Sequence, residues 1–294
     1  MLNNTFWKNL LKPLLVLGER DTAMTHKLVL VSASVFAMSG LVPVAHATSL
    51  DDVCNLLDPI ENDTKVDQGG AFSGNCTITV DNAVLEIDGV TIDINGALKF
   101  VDVPEDEGAA ALVIKNAQIT ITTADRLEVE GAWNGGVTLE NNHVNTGEDL
   151  RVKPTGGGDL MFTNNGGAVA GDIRLGDAGL QGDIVARNNA MNVAGDFRAE
   201  TTDGDITVRD NGIENSVSNV QIVSASGDIG VKNNEFSNTA TAQGITVTSE
   251  DGDVRVRLNT FGVNVGAVSI ESTTGPCESN RNGPVLVDQE ACQS

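Results

Sequence analysis

The feature that most constrains this chain is one short phrase written six times between Gly135 and Phe261. Its clear copies are Gly158-Asp-Leu-Met-Phe-Thr-Asn-Asn165, Gly182-Asp-Ile-Val-Ala-Arg-Asn-Asn189, Gly204-Asp-Ile-Thr-Val-Arg-Asp-Asn211, Gly227-Asp-Ile-Gly-Val-Lys-Asn-Asn234 and Gly252-Asp-Val-Arg-Val-Arg-Leu-Asn259. A divergent earlier copy reads Gly135-Gly-Val-Thr-Leu-Glu-Asn-Asn142, so the closing asparagines recur at intervals of 23, 24, 22, 23 and 25 residues. A unit this short cannot bury its apolar face alone; it buries it against the next unit, which makes a stacked solenoid.

A second phrase keeps the same period. It leads with Leu127, Leu150, Ile173, Phe197, Val220, Ile245 and Val268, each followed two residues later by another apolar side chain. Alternation at period two describes a strand with one buried face. Each repeat therefore predicts two strands, and a weaker third is expected in pieces such as Ala190 to Val193 and Phe261 to Val265. No apolar pattern at helical spacing runs through the repeats, and no proline falls between Pro154 and Pro276, as suits a sheet interior in which each amide donates to a neighbouring coil.

The stacked coils, with their column Asn142, Asn165, Asn189, Asn211, Asn234 and Asn259, resemble the right-handed parallel β-helix of the pectate-lyase-like superfamily over roughly residues 76–290. That resemblance implies an all-β fold, a single solenoid of about eight or nine coils, and an internal asparagine ladder at one turn. A leucine-rich repeat shares part of the pattern, but it would carry another leucine where Gly157, Gln181, Asp203 and Ser226 stand.

Residues 24–47 read as a secretory signal peptide: Lys27 precedes an apolar run from Leu28 to Val42, and Ala45-His-Ala47 forms a small-residue cleavage site. Residues 1–23 read as an upstream extension, with translation starting at Met24, or as an unusually long n-region of the signal peptide. The apolar run is too short for a membrane span, so a secreted or periplasmic protein with no span after cleavage is expected. The remaining organisation reads as a cap over 48–75, β-helix over 76–274 and a second cap over 275–294. Within these, a short helix is expected near Leu50 to Leu57 and a last strand over 283–287.

Cys54, Cys76, Cys277 and Cys292 all lie outside the central repeats. Export favours disulfides, and many rungs of about 4.8 Å separate the two ends of a solenoid, beyond the roughly 7 Å reach of a bridge. The pairing expected is Cys54 with Cys76 and Cys277 with Cys292, stapling the two caps.

The balance of 41 acidic against 18 basic residues, net charge -23, disfavours nucleic acid as a partner. Seven of the few cations after residue 47 fall into two columns of outward positions. One reads Glu128, Arg151, Arg174, Arg198, Gln221, Thr246, Ser269, and the other Glu140, Thr163, Arg187, Arg209, Lys232, Arg257. Neutralisation by Asp149, Asp172 and Asp196 for the first, and by Asp183, Asp205, Asp228 and Asp253 for the second, explains the columns on folding grounds alone. The functional reading makes Arg151, Arg174, Arg198, Arg187, Arg209, Lys232 and Arg257 a groove for an anionic extracellular or cell-surface polysaccharide.

The aspartate columns are compatible with Ca²⁺ in composition, yet the calcium signature Gly-Gly-x-Gly-x-Asp is absent, so no metal or cofactor is assigned. No catalytic residue is assigned either. His143 is the only histidine after Ala47 and reads as a solvated turn residue, while Asn-Thr-Asp, Gly-His-Gly, Arg-Ile-Lys and Arg-x-Pro-x-x-Arg, marks of enzymes in the superfamily, are missing. Phe162 and Phe197 read as core, and Trp133 as packing rather than a sugar-stacking platform. The function expected is non-catalytic, structural or carbohydrate-binding. A uronate lyase or epimerase using the arginines is the first alternative, and a scaffold docking another protein through Met161 and Val185 the second.

Overall fold

In the computed structural model, residues 48–292 are described except 104–108, 123, 216, 239–242 and 285. The leader and signal peptide expected over 1–47 lie outside them, as does most of the acidic loop after Val103. The alternating phrases fold as a parallel β-solenoid of about nine turns. Each turn visits three sheets in order, for example Leu160–Thr163 in sheet I, Gly166–Val169 in sheet II and Ile173–Gly176 in sheet III, before Ile184–Arg187 returns to sheet I. Sheet I has eleven strands, sheet II eight and sheet III nine.

Pairing is parallel and in phase, so residues at equivalent places in the repeat lie above one another. Leu127, Leu150, Ile173, Phe197 and Val220 pair in succession on sheet III. Val137, Leu160, Ile184, Ile206, Ile229 and Val254 do so on sheet I. These rows are fully buried and fill the interior, each large aliphatic side chain contributing about 1.5–3 kcal/mol by leaving water. Phe162 and Phe197 belong to that core; Phe197 packs at a tilt against Phe236 at a centroid separation of 5.4 Å, and Phe236 stacks on Phe261 at 5.7 Å. Trp133 is fully buried, its indole N–H donating to the Glu130 carbonyl at 2.8 Å, so it offers no surface to a sugar.

Two short helices close the ends. Helix α1, Leu50–Cys54, starts at a capping box in which Ser49 and Asp52 satisfy each other's amides, and it lays Leu50 and Val53 over the interior. Cys54 is bonded to Cys76 in the first strand of sheet III, with a Cα–Cα distance of 5.1 Å. At the other end helix α2, Leu286–Glu290, buries Val287, and Cys292 is bonded to Cys277, with a Cα–Cα distance of 5.6 Å. Closing loops of this length contributes about 3 kcal/mol per bridge in the chain-entropy account.

The structure corrects several local expectations. The third strand is a regular sheet running from Gly70–Ser73 to Glu235–Phe236, but 261–264 forms no strand, and Thr260 makes only isolated bridges. The repeat does not end at 273–277: Cys277–Asn280 pairs with Val254–Arg257 as a further sheet I strand. Gly275-Pro276 had disguised it by replacing Gly-Asp. Residues 286–290 form a helix where a strand was expected, because the last turn needs an apolar cover rather than another bare edge. Parallel pairing also starts upstream of Cys76, at Thr64–Gln68 and Gly70–Ser73.

Candidate functional site

Three columns hold the coils in register, two of them inside the solenoid and the third on its outward face, and they determine which side chains remain free to meet a ligand. The first is the asparagine column at the turn between sheets I and II. From Asn165 onward, each side-chain oxygen accepts from the preceding asparagine's amide N–H and side-chain N–H, as Asn189 does from Asn165 at 2.9 and 3.1 Å, while the Asn142 oxygen accepts from the Ala117 amide. Each side-chain nitrogen also donates to a carbonyl of the coil before, Asn189 to Phe162 at 2.8 Å. The ladder runs from Asn142 through Asn165, Asn189, Asn211, Asn234 and Asn259 to Asn282. There Asp288 of α2 closes it, accepting from the Asn282 amide at 3.0 Å. Asn282 and Asp288 escaped the sequence reading, although Asn282 lies one further period, 23 residues, past Asn259.

The second column is hydroxyl and glycine. Ser224 Oγ donates to the Gly204 carbonyl at 3.0 Å and accepts from the Gly227 amide at 2.8 Å, and Ser249 and Ser272 repeat this with Gly252 and Gly275. The third is aspartate. Asp183 Oδ1 accepts from the Asp205 amide at 2.8 Å, Asp205 from that of Asp228, and Asp228 from that of Asp253. Asp149 and Asp172 do the same toward Asp172 and Asp196 on the approach to sheet III. The aspartates are thus spread along the axis, each bonded to a backbone amide. Among the described residues no three carboxylate, imidazole or thiol groups converge as a metal site.

The cations divide between two faces rather than lining one groove. On sheet III, Lys99, Glu128, Arg151, Arg174, Arg198 and Gln221 stack in register. Here neutralisation dominates: Arg151 pairs with Asp149 at 2.5 Å and Arg174 with Asp172 at 2.6 Å. Arg198 departs from expectation by pairing with Glu200. Asp196 instead accepts from the Asn219 side-chain amide at 2.8 Å, which leaves the longer Glu200 facing the guanidinium. A cleft of about 440 Å³ opens beside Lys153, Arg174 and Arg198, but Lys153 is held by Asp177 at 3.3 Å, so each of these cations already has its carboxylate.

On sheet I, Glu140, Thr163, Arg187, Arg209, Lys232 and Arg257 stack in register. The expected partners Asp183, Asp205, Asp228 and Asp253 do not reach them, because four residues along a strand span about 13 Å, and the first three of those carboxylates serve the amide ladder. Arg209 pairs with Asp210 at 2.7 Å, Arg257 with Glu278, and Asp253 takes Arg255 at 2.6 Å. Arg187 and Lys232 have no carboxylate within ion-pairing distance among the described residues. Thr163, expected to face out, is buried, a short side chain between the longer Glu140 and Arg187 in register. Between the aspartate and cation columns runs a weakly polar track of Thr138, Met161, Val185, Thr207 and Gly230, with Met161 42% exposed. His143 is exposed, but it opens the sheet II strand His143–Thr146 rather than lying in a turn.

The aspartates titrate in opposite directions. Burial pushes the Asp149 carboxyl up, yet the Asp172 amide and Arg151 outweigh it and hold it below the ordinary value. The Asn233 side chain, with Arg209 and Lys232, lowers Asp210 against a smaller burial effect. Burial and then the Asp81 charge raise Asp102, which is 5% exposed. A depressed carboxyl adds stability above its unfolded pKa that is lost as pH falls through its folded pKa; a raised one carries a penalty at neutral pH that protonation removes. Asp102→Asn is therefore expected to raise the melting temperature at pH 7 and to leave it unchanged near pH ~3. Asp149→Asn is expected to lower it at pH 7 and to matter less in acid. Melting curves across that range check both signs.

Among the described residues, no helix is long and apolar enough to cross a membrane. The two disulfides suit an oxidising, extracellular-type environment. Comparison with protein-family models, with curated proteins and with solved structures finds no match to this chain.

Proposed function

We propose that this protein is an exported, non-catalytic β-helix module that binds an anionic polysaccharide along sheet I. The observation that carries the reading is the run Arg187, Arg209, Lys232, Arg257, stacked in register with two members unpaired, on a chain of net charge -23. Successive coils lie about 4.8 Å apart, so the run presents an evenly spaced line of positive charge to a polymer with evenly spaced carboxylates or sulfates. The neighbouring track of Met161 and Val185 supplies a mildly apolar floor. Sheet III contributes little, since Arg151, Arg174 and Arg198 are neutralised where they stand. The signal peptide, release to the periplasm or beyond, and kinship with the pectate-lyase-like superfamily belong to this same reading.

Such contacts are exposed and screened, each worth at most ~1 kcal/mol, so binding is expected to be modest and salt-sensitive. Polygalacturonate or heparin is expected to be retained at ~10 mM salt and released at ~0.5 M, with Arg187→Gln/Lys232→Gln weakening retention and Arg151→Gln leaving it nearly unchanged. Absence of binding to both polymers at low salt would reject the reading. Release of unsaturated uronate from the bound polymer would favour the lyase alternative instead.

A further inference from the structure

The outward side of the asparagine turn carries its own column: Asn116, Asn141, Asn164, Asn188, Asp210 and Asn233. Each adopts a left-handed backbone with φ between 53° and 56°, a conformation that asparagine and aspartate tolerate better than other side chains. Several bridge to the previous coil, Asn188 to Asn164 at 3.2 Å and Asn233 to Asp210 at 2.8 Å. In the last two turns the pattern breaks. Leu258 and Arg281 occupy the same conformation, φ 59° and 56°, although a branched apolar residue and a long cation are both poorly suited to it. A locally unfavourable backbone kept in place points to a role other than folding.

Beside the break lies a cleft of about 470 Å³ lined by Lys232, Arg257, Leu258, Asn280 and Arg281, three cations, with the one adjoining carboxylate, Glu278, bonded to Arg257 and Asn280. The Lys232 and Arg281 side chains have no hydrogen-bond or ion-pair partner among the described residues. Arg257 is held by Glu278 through one terminal nitrogen, while its Nε is buried without an acceptor. Leu258, 43% exposed, forms an apolar wall beside these charges.

We infer that this cleft is the anchoring point of the glycan-binding face, taking one carboxylate or sulfate group carried by a sugar ring, with Lys232 and Arg281 on the anion and Leu258 against the ring. The inference rests on the proposed polysaccharide reading and gives it a specific site. Arginine at 281 offers a planar donor fork matched to an oxyanion, whereas the asparagine that the column otherwise favours could not balance a negative charge.

The test is calorimetric titration of the full chain with trigalacturonate, a sulfated heparin disaccharide and inorganic sulfate, alongside melting curves. Arg281→Asn restores the column's preferred residue, so it is expected to raise the melting temperature while weakening saccharide binding at least tenfold. Lys232→Gln is expected to weaken binding similarly, and Arg281→Lys to weaken it less. Trigalacturonate and the heparin disaccharide separate carboxylate from sulfate as the anchored group. The inference is overturned if Arg281→Asn leaves saccharide affinity unchanged, if neither saccharide binds, or if inorganic sulfate binds as tightly as both. Polymer retention that depends on Arg187 and Arg209 but not on Arg281 rejects the cleft and keeps the face. Short saccharides held by Arg281, with polymer retention indifferent to Arg187, keep the cleft and reject the face.

Discussion

Asn189→Ala is expected to destabilise the solenoid by about 4 kcal/mol or more, the largest single-residue effect proposed for this protein. Asn189 is 2% exposed and sits in mid-ladder. Its oxygen serves both the Asn165 amide and side chain, and its nitrogen donates to the Phe162 carbonyl and the Asn211 oxygen. Truncation removes four buried hydrogen bonds at once, each worth about 1 kcal/mol net. The Asn165 side chain keeps the Leu139 carbonyl and the Asn211 oxygen keeps the Asn189 amide, but the buried Asn165 amide loses its acceptor. Asn189→Asp keeps the shape but loses the donor and buries a charge, so its penalty is expected to grow as pH rises above its carboxyl pKa. The neighbour Asn188 turns outward and holds only Asn164. Asn188→Ala is expected to cost only about 1–2 kcal/mol, chiefly for placing alanine in the left-handed region. Urea unfolding followed by far-ultraviolet dichroism compares the three, and equal costs at positions 188 and 189 would refute the ladder as the main clamp.

Gly227→Ala is the second large effect. The glycines opening each phrase stack so closely that a Cβ on Gly227 would overlap the Gly204 carbonyl and come within 2.8 Å of the Asp205 amide nitrogen. Neither backbone group has an alternative position, because the Ser224 hydroxyl bonds to the Gly204 carbonyl and the Gly227 amide together. The coils would have to part locally, breaking pairing that the flanking strands Ile206–Arg209 and Ile229–Lys232 maintain. A loss of about 3 kcal/mol or more is expected, as for severe overpacking. Gly157→Ala is the control: a Cβ there meets nothing within 4 Å, and its effect is expected within about 0.5 kcal/mol of wild type. Tolerance of alanine at 227 would mean that the coils are not spaced as described.

Much of the molecule was legible in advance because a solenoid turns sequence period into spatial adjacency. Once Asn142, Asn165 and Asn189 are one coil apart, stacking them is the same statement as counting residues, and the outward columns Arg151 to Arg198 and Arg187 to Arg257 follow from strand alternation. Ion pairing was less legible. Asp183 and Arg187 share a face, which counting shows, but an extended strand holds them too far apart, and a backbone amide takes the aspartate first. The end of the repeat was hidden for a different reason. Gly275-Pro276 breaks the written phrase, yet Ser272 and Asn282 keep its bonding through positions that the period alone would have reached.

By itself, then, the sequence determined the class of fold, the coil length and the vertical columns, because those depend only on local alternation and a repeat distance. The tertiary structure decided which cations are neutralised and which stand free, which aspartates are spent on amides, and how α2 ends the ladder through Asp288. Those outcomes turn on distances between side chains of different coils and on competition for the same donor, which a one-dimensional pattern does not encode.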